Sequence, residues 1–144
     1  MAFRKKITIL YIVYFKRFTG SIGKMGLLSG KKGLIMGVAN ERSIAWGIAK
    51  ACSSQGAKLA FTYQGDALKK RIIPLAESVG SNLTFQCDVA DQDAVKETFA
   101  KIKDELNDID FLVHAIGFSD KNELRGRYID TSKKNFLTTM DISV

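Results

Sequence analysis

One proline, one histidine and two cysteines occur in 144 residues. So few cysteines exclude a small secreted scaffold held by disulfides. Cys52 and Cys87 show no metal-ligand spacing and read as buried thiols of a reducing cytoplasm. The single His114 has no cluster of partners, so a metal centre is not expected. Within an apolar run it reads as a hydrogen-bonded core residue. No apolar stretch approaches the roughly 20 residues of a membrane-spanning helix. The glycines form neither G-x-G-x-x-G nor a P-loop lysine motif. There are no internal repeats, low-complexity tracts or linkers.

Charge is plentiful but uneven. Lys and Arg number 22 against 15 acidic residues. Residues 1–24 hold six of the cations (Arg4, Lys5, Lys6, Lys16, Arg17, Lys24) and no acid, which leaves 16 against 15 in the rest. The basic character therefore belongs to the N-terminal segment, and no nucleic-acid-binding face is expected beyond it. Ile7 to Phe15 is apolar and flanked by cations, which faintly suggests a signal peptide or an interfacial membrane segment. The cleavage-site chemistry is poor. Residues 1–24 read more simply as a mis-called start or a disordered extension, with the domain proper at 25–144.

From Met25 onward, strand-like and helix-like stretches alternate. Lys32 to Gly37, Lys58 to Tyr63, Asn82 to Cys87 and Ile109 to Ile116 read as buried strands. Between them lie a helix from Ser43 to Gln55 with Ile44, Ile48, Ala51 and Cys52 inward, and one entered at Asp66 with Leu68, Ile72 and Leu75 inward. A third is capped by Asp91 and carries Val95, Phe99, Ile102 and Leu106. Pro74 is expected to kink or restart the second. The pattern predicts an α/β, Rossmann-like, doubly wound parallel sheet, limited to about its first four strands. A further helix runs from about Ser132, with Phe136, Met140 and Val144 on one face. No cap closes it, so the chain reads as the front part of a longer domain whose fourth strand has an open edge.

Ligands of such sheets bind at the carboxyl ends of the strands. After the first strand, Gly37 allows close backbone approach, and the helix begun near Ser43 points free N–H groups and a positive dipole end toward an anion. Ser43 can add its hydroxyl. After the second, Gln64 can bond ribose hydroxyls without charge, while Lys69, Lys70 and Arg71 could hold an extra phosphate. The residues alone leave NAD against NADP open. After the third, Asp88 can accept from an adenine amino group, with Val89 completing the contact. After the fourth comes His114-Ala115-Ile116-Gly117-Phe118, where small residues let backbone pass a ribose.

Together the four turns, carried by MGLLSGKKGLIMGVANERSIAWGIA, GAKLAFTYQGDALKKR, QCDVAD and DFLVHAIGF, resemble the NADH-dependent enoyl-acyl-carrier-protein reductases of bacterial fatty-acid synthesis. These are a divergent branch of the short-chain dehydrogenase/reductases. The resemblance covers residues 25–144, about half of a family chain. It implies that Gly37, Ser43 and Ile44 hold the pyrophosphate, Gln64 the ribose of NADH, and Asp88 and Val89 the adenine. Ile116 then contacts the cofactor beyond the fourth strand. Ser119 falls at the first substrate contact, where many relatives carry alanine.

The implied reaction reduces a trans-2-enoyl thioester on acyl carrier protein, in the cytoplasm and in a homotetramer. A tyrosine hydroxyl and a lysine assist, and both are expected beyond Val144, so the 144 residues are expected to be inactive alone. Two other readings remain. One is another short-chain dehydrogenase/reductase acting on a keto or hydroxy compound, marked by three rather than six residues between that tyrosine and lysine. The other is a non-catalytic nucleotide-binding module.

Overall fold

The computed structural model describes residues 12–15 and 26–144. The boundary expected between 24 and 25 lies outside the described residues. The chain divides into two compact units, one ending at Ala115 and the other running from Ile116 to Val144.

The first unit is a five-stranded sheet. Its strands are β1 (Ile12–Phe15), β2 (Lys32–Met36), β3 (Lys58–Tyr63), β4 (Thr84–Gln86) and β5 (Phe111–His114), in the order β1-β5-β2-β3-β4. Strands β2 to β5 are mutually parallel, with Leu34 opposite both Ala60 and Leu112. The expected doubly wound parallel sheet is therefore present. The chain steps outward from β2 to β4 through α1 (Ile44–Ser54) and α2 (Asp66–Ser78). It then returns through α3 (Gln92–Leu106) to place β5 on the other edge of β2. The strand order reverses between β2 and β5, and that reversal opens a crevice at their carboxyl ends.

The last strand does not have the open edge expected for it. Ile12–Phe15 pairs antiparallel with it, Ile12 opposite His114 and Phe15 opposite Phe111. An apolar run too short to cross a bilayer is long enough for an edge strand.

Apolar burial explains the rest. Leu34, Ile35, Phe61, Ile72, Leu106 and Val113 are fully buried, each contributing about 1.5–3 kcal/mol. Trp46 of α1 packs on Phe61 with ring centroids 6.4 Å apart. The α1 face toward the sheet is Ala45, Trp46 and Ala49, not the expected Ile44–Ala51 stripe. Small residues at 45 and 49 let the helix sit close, Ile48 and Cys52 pack at its margin, and Ile44 is left 61% exposed. Nor does Pro74 break α2, which runs through it as one element. Proline forgoes a single backbone hydrogen bond there, while Ile72 and Ala76 stay buried on either side of it.

At the amino ends of the strands, Asp110 ties β2 to β5. It accepts from Lys31 Nζ and from the Lys32 backbone N–H, both at 2.9 Å. Its own N–H donates to the Lys32 carbonyl. Lys32 Nζ caps the α3 terminus at the Leu106 carbonyl. Asn107 leaves that helix at φ 64°, the one non-glycine residue with positive φ among the described residues.

The second unit holds two 3-10 turns, Lys121–Leu124 and Tyr128–Asp130, and α4 (Lys133–Ser143). Ser132 caps α4 by accepting from Asn135 N–H, while its own N–H and hydroxyl donate to Glu123. Asn135 is buried and accepts from Asp120 N–H. Phe136, Met140 and Val144, the stripe foreseen in the sequence, remain exposed.

Candidate functional site

The first unit brings three of the four candidate turns to one end of the sheet. Backbone pairing carries them there: Ala115 N–H donates to Met36 O, and Cys87 N–H to Tyr63 O.

In the turn after β2, Gly37 takes φ 97°, a conformation that strains any side-chain-bearing residue. Ser43 is the N-cap of α1, but its side chain makes no capping bond to the helix. Its oxygen instead accepts from Ala39 and Asn40 N–H, each at 3.0 Å. With the oxygen so occupied, the hydroxyl hydrogen remains available to a ligand. The N–H groups of Ile44 and Ala45 have no partner among the described residues, since the helix ladder begins with Trp46 and Gly47 donating to Ser43 O. Two free amides, one hydroxyl and a positive dipole end form a donor set suited to an anion. A Cβ at Gly47 would meet no atom within 4 Å, so this glycine is not required for helix–strand packing.

After β3 and β4 the chemistry turns from donors to acceptors. Gln64 is exposed, and its Nε2 donates to Asp88 Oδ2 at 2.9 Å. Asp88 Oδ1 accepts from Ala90 N–H at 3.0 Å. The bond from Gln64, then that from Ala90, holds the Asp88 carboxyl below the ordinary carboxylate range, against a smaller opposing effect of burial. Val89 is half-buried beside it. Burial raises the Cys87 thiol, a bond with Thr98 opposes this, and the Asp88 charge adds to the rise. Burial likewise raises Cys52. Neither cysteine is a ready nucleophile.

His114 is half-buried at the end of β5. Ile116 and Ser119 belong to the second unit. There Asn135 Nδ2 donates to the Ser119 hydroxyl at 3.1 Å.

Sequence reasoning missed two connections. Ser43 reads as a donor, yet its oxygen first organises the turn behind it. Gln64 and Asp88 read as separate contacts, yet they are bonded across 24 residues. The signal for the second lay in the strand order, which places those two strand ends side by side.

Residues 37–144 match the family model described as Enoyl-(Acyl carrier protein) reductase. The chain belongs to this family. It is 58% identical over 119 residues to enoyl-[acyl-carrier-protein] reductase [NADH] 1 of Rhizobium meliloti, covering 83% of this chain and 44% of that protein. The crystal structure of the enoyl reductase of Anaplasma phagocytophilum in complex with NAD is 55% identical, with a TM-score of 0.78, covering 85% of this chain and 47% of that one. The Bacillus cereus enoyl reductase, solved with NADP+ and indole naphthyridinone, is 41% identical with a TM-score of 0.78, over 82% of this chain and 47% of that one. The chain thus spans about half the length of the family members it matches.

Proposed function

We propose that these 144 residues are the nucleotide-holding part of an NADH-dependent enoyl-acyl-carrier-protein reductase of fatty-acid synthesis. The observation that carries this reading is the ordering of ligand chemistry along one sheet end. Donors for an anion stand at 43–45, and acceptors for hydroxyl and amino groups stand at 64 and 88. A dinucleotide presents pyrophosphate, ribose and adenine in that order.

In this reading Gly37, Ser43 and Ile44 hold the pyrophosphate, Gln64 the adenosine ribose, and Asp88 with Val89 the adenine. Ile116 extends the cofactor contacts. The exposed Ile44 shields the phosphates from water. Ser119 is the substrate-side residue, and any contact through its hydroxyl competes with Asn135. NADH supplies a hydride to the enoyl thioester; the residues named here bind and orient. The tyrosine and lysine of the reaction are assigned beyond Val144. The substrate is carried by acyl carrier protein, the working assembly is a homotetramer, and the setting is the cytoplasm. No helix among the described residues is long and apolar enough to cross a membrane.

The test is titration of NADH onto the 144-residue polypeptide, followed by calorimetry or nicotinamide fluorescence. Saturable one-to-one binding, weakened at least about tenfold by Asp88→Ala, is the expected result. Absence of binding overturns the proposal. The same polypeptide, given NADH and a trans-2-enoyl thioester, is expected to oxidise no cofactor. Turnover would overturn the assignment of the tyrosine and lysine beyond Val144.

A further inference from the structure

The bond between Gln64 and Asp88 carries an inference that rests on the NADH reading and goes beyond it. We infer that Asp88 is a positioning residue for cofactor choice: it fixes which end of the Gln64 amide faces the ribose, and so favours NADH over NADPH.

An ionised carboxylate only accepts hydrogen bonds, so the amide end facing Asp88 must be the nitrogen. The carboxylate is itself pinned, with Oδ1 on Ala90 N–H and Oδ2 on Gln64 Nε2. Gln86 Nε2 steadies the Gln64 backbone by donating to its carbonyl at 3.3 Å. The free end of the amide is therefore Oε1, which has no partner among the described residues. An amide oxygen suits a ribose 2′-hydroxyl, which can donate. It opposes a 2′-phosphate, which offers acceptors and about two negative charges.

The same glutamine turned end for end would donate to a phosphate. Lys69, Lys70 and Arg71, exposed on the following helix, would then add favourable charge. Family relatives on this fold have been solved with NAD and with NADP+. The choice therefore lies in side chains rather than in the sheet.

Asp88→Asn should reverse the amide, not merely loosen it. Ala90 N–H claims the one remaining acceptor oxygen, so Asn at 88 presents its NH2 to Gln64. Gln64 then turns its oxygen inward and its nitrogen toward the ribose.

The experiment is a double-mutant cycle on the 144-residue chain, with Kd values for NADH and NADPH. The wild type is expected to favour NADH. Asp88→Asn should shift the NADH-to-NADPH preference by about tenfold toward NADPH, over and above any weakening common to both cofactors. In a Gln64→Ala background the same substitution should leave the preference within about twofold. An equal shift with and without Gln64 would mean that Asp88 acts through its own charge, and would overturn the inference while NADH binding stands. Equal weakening toward both cofactors would also overturn it. A wild type that binds neither removes the NADH reading and the inference together. If the variants unfold, the wild-type side-chain NH2 resonances of Gln64 decide. They should follow the titration of Asp88, and indifference to it overturns the inference.

Discussion

The ring of Phe111 stands so close to Gly33 that a Cβ built on the glycine would overlap its Cζ and Cε2. The two residues are register partners where β2 meets β5. Both are buried, so the ring has nowhere to retreat. Gly33→Ala is expected to lower stability by about 1–3 kcal/mol through overpacking, read as a lower midpoint in chemical denaturation. An unchanged midpoint would mean the ring moves freely.

The second expectation concerns acid. Asp88 has a lowered folded-state pKa, so its bonds with Gln64 and Ala90 support the fold above the ordinary carboxylate range. That support fades as pH falls through the lowered value. A carbon-detected NMR titration should place the Asp88 midpoint below that of an unperturbed aspartate. Gln64→Leu should move it upward, because the largest cause of the lowering is removed. No upward movement would assign the lowering to Ala90 alone.

Strand β1 gives a third. Deleting residues 1–24 uncovers the outer edge of β5. The shortened polypeptide is expected to melt at least about 5 °C lower and to self-associate, since an unpaired edge recruits other chains. Scanning calorimetry and sedimentation would show both. A monomer with unchanged Tm would mean that the pairing contributes nothing.

What the sequence revealed, and what it hid, divides along physical lines. Strand β3 is legible to the residue because Phe61, Thr62 and Tyr63 favour a strand and the run lies between Gly56 and Gly65. The Asp91 cap is legible because capping is local: Asp91 accepts from Asp93 and Ala94 N–H. The inward face of α1 was misread because periodicity alone does not choose between neighbouring stripes. The sheet chose the one whose alanines permit close approach. Reading residues 1–24 apart from the domain hid β1, whose pairing depends on an edge formed about 100 residues later. The positions at 37, 43, 64 and 88 were visible because strand ends are predictable. The Gln64–Asp88 bond was not, because no local pattern records a contact between adjacent strands.

Helix α1 begins with donors left unanswered, although a serine capable of capping them is in place and α3 and α4 are capped by their own side chains. An engineer seeking thermostability would mark this as an easy improvement, worth about 1 kcal/mol. Ser43→Asp should hold or raise the melting temperature while expelling NADH, because a fixed carboxylate then occupies ground meant for phosphate. Tight NADH binding by that variant would show the vacancy to be ornamental. A modest local weakness at one helix end is, on this view, the condition for carrying a cofactor at all.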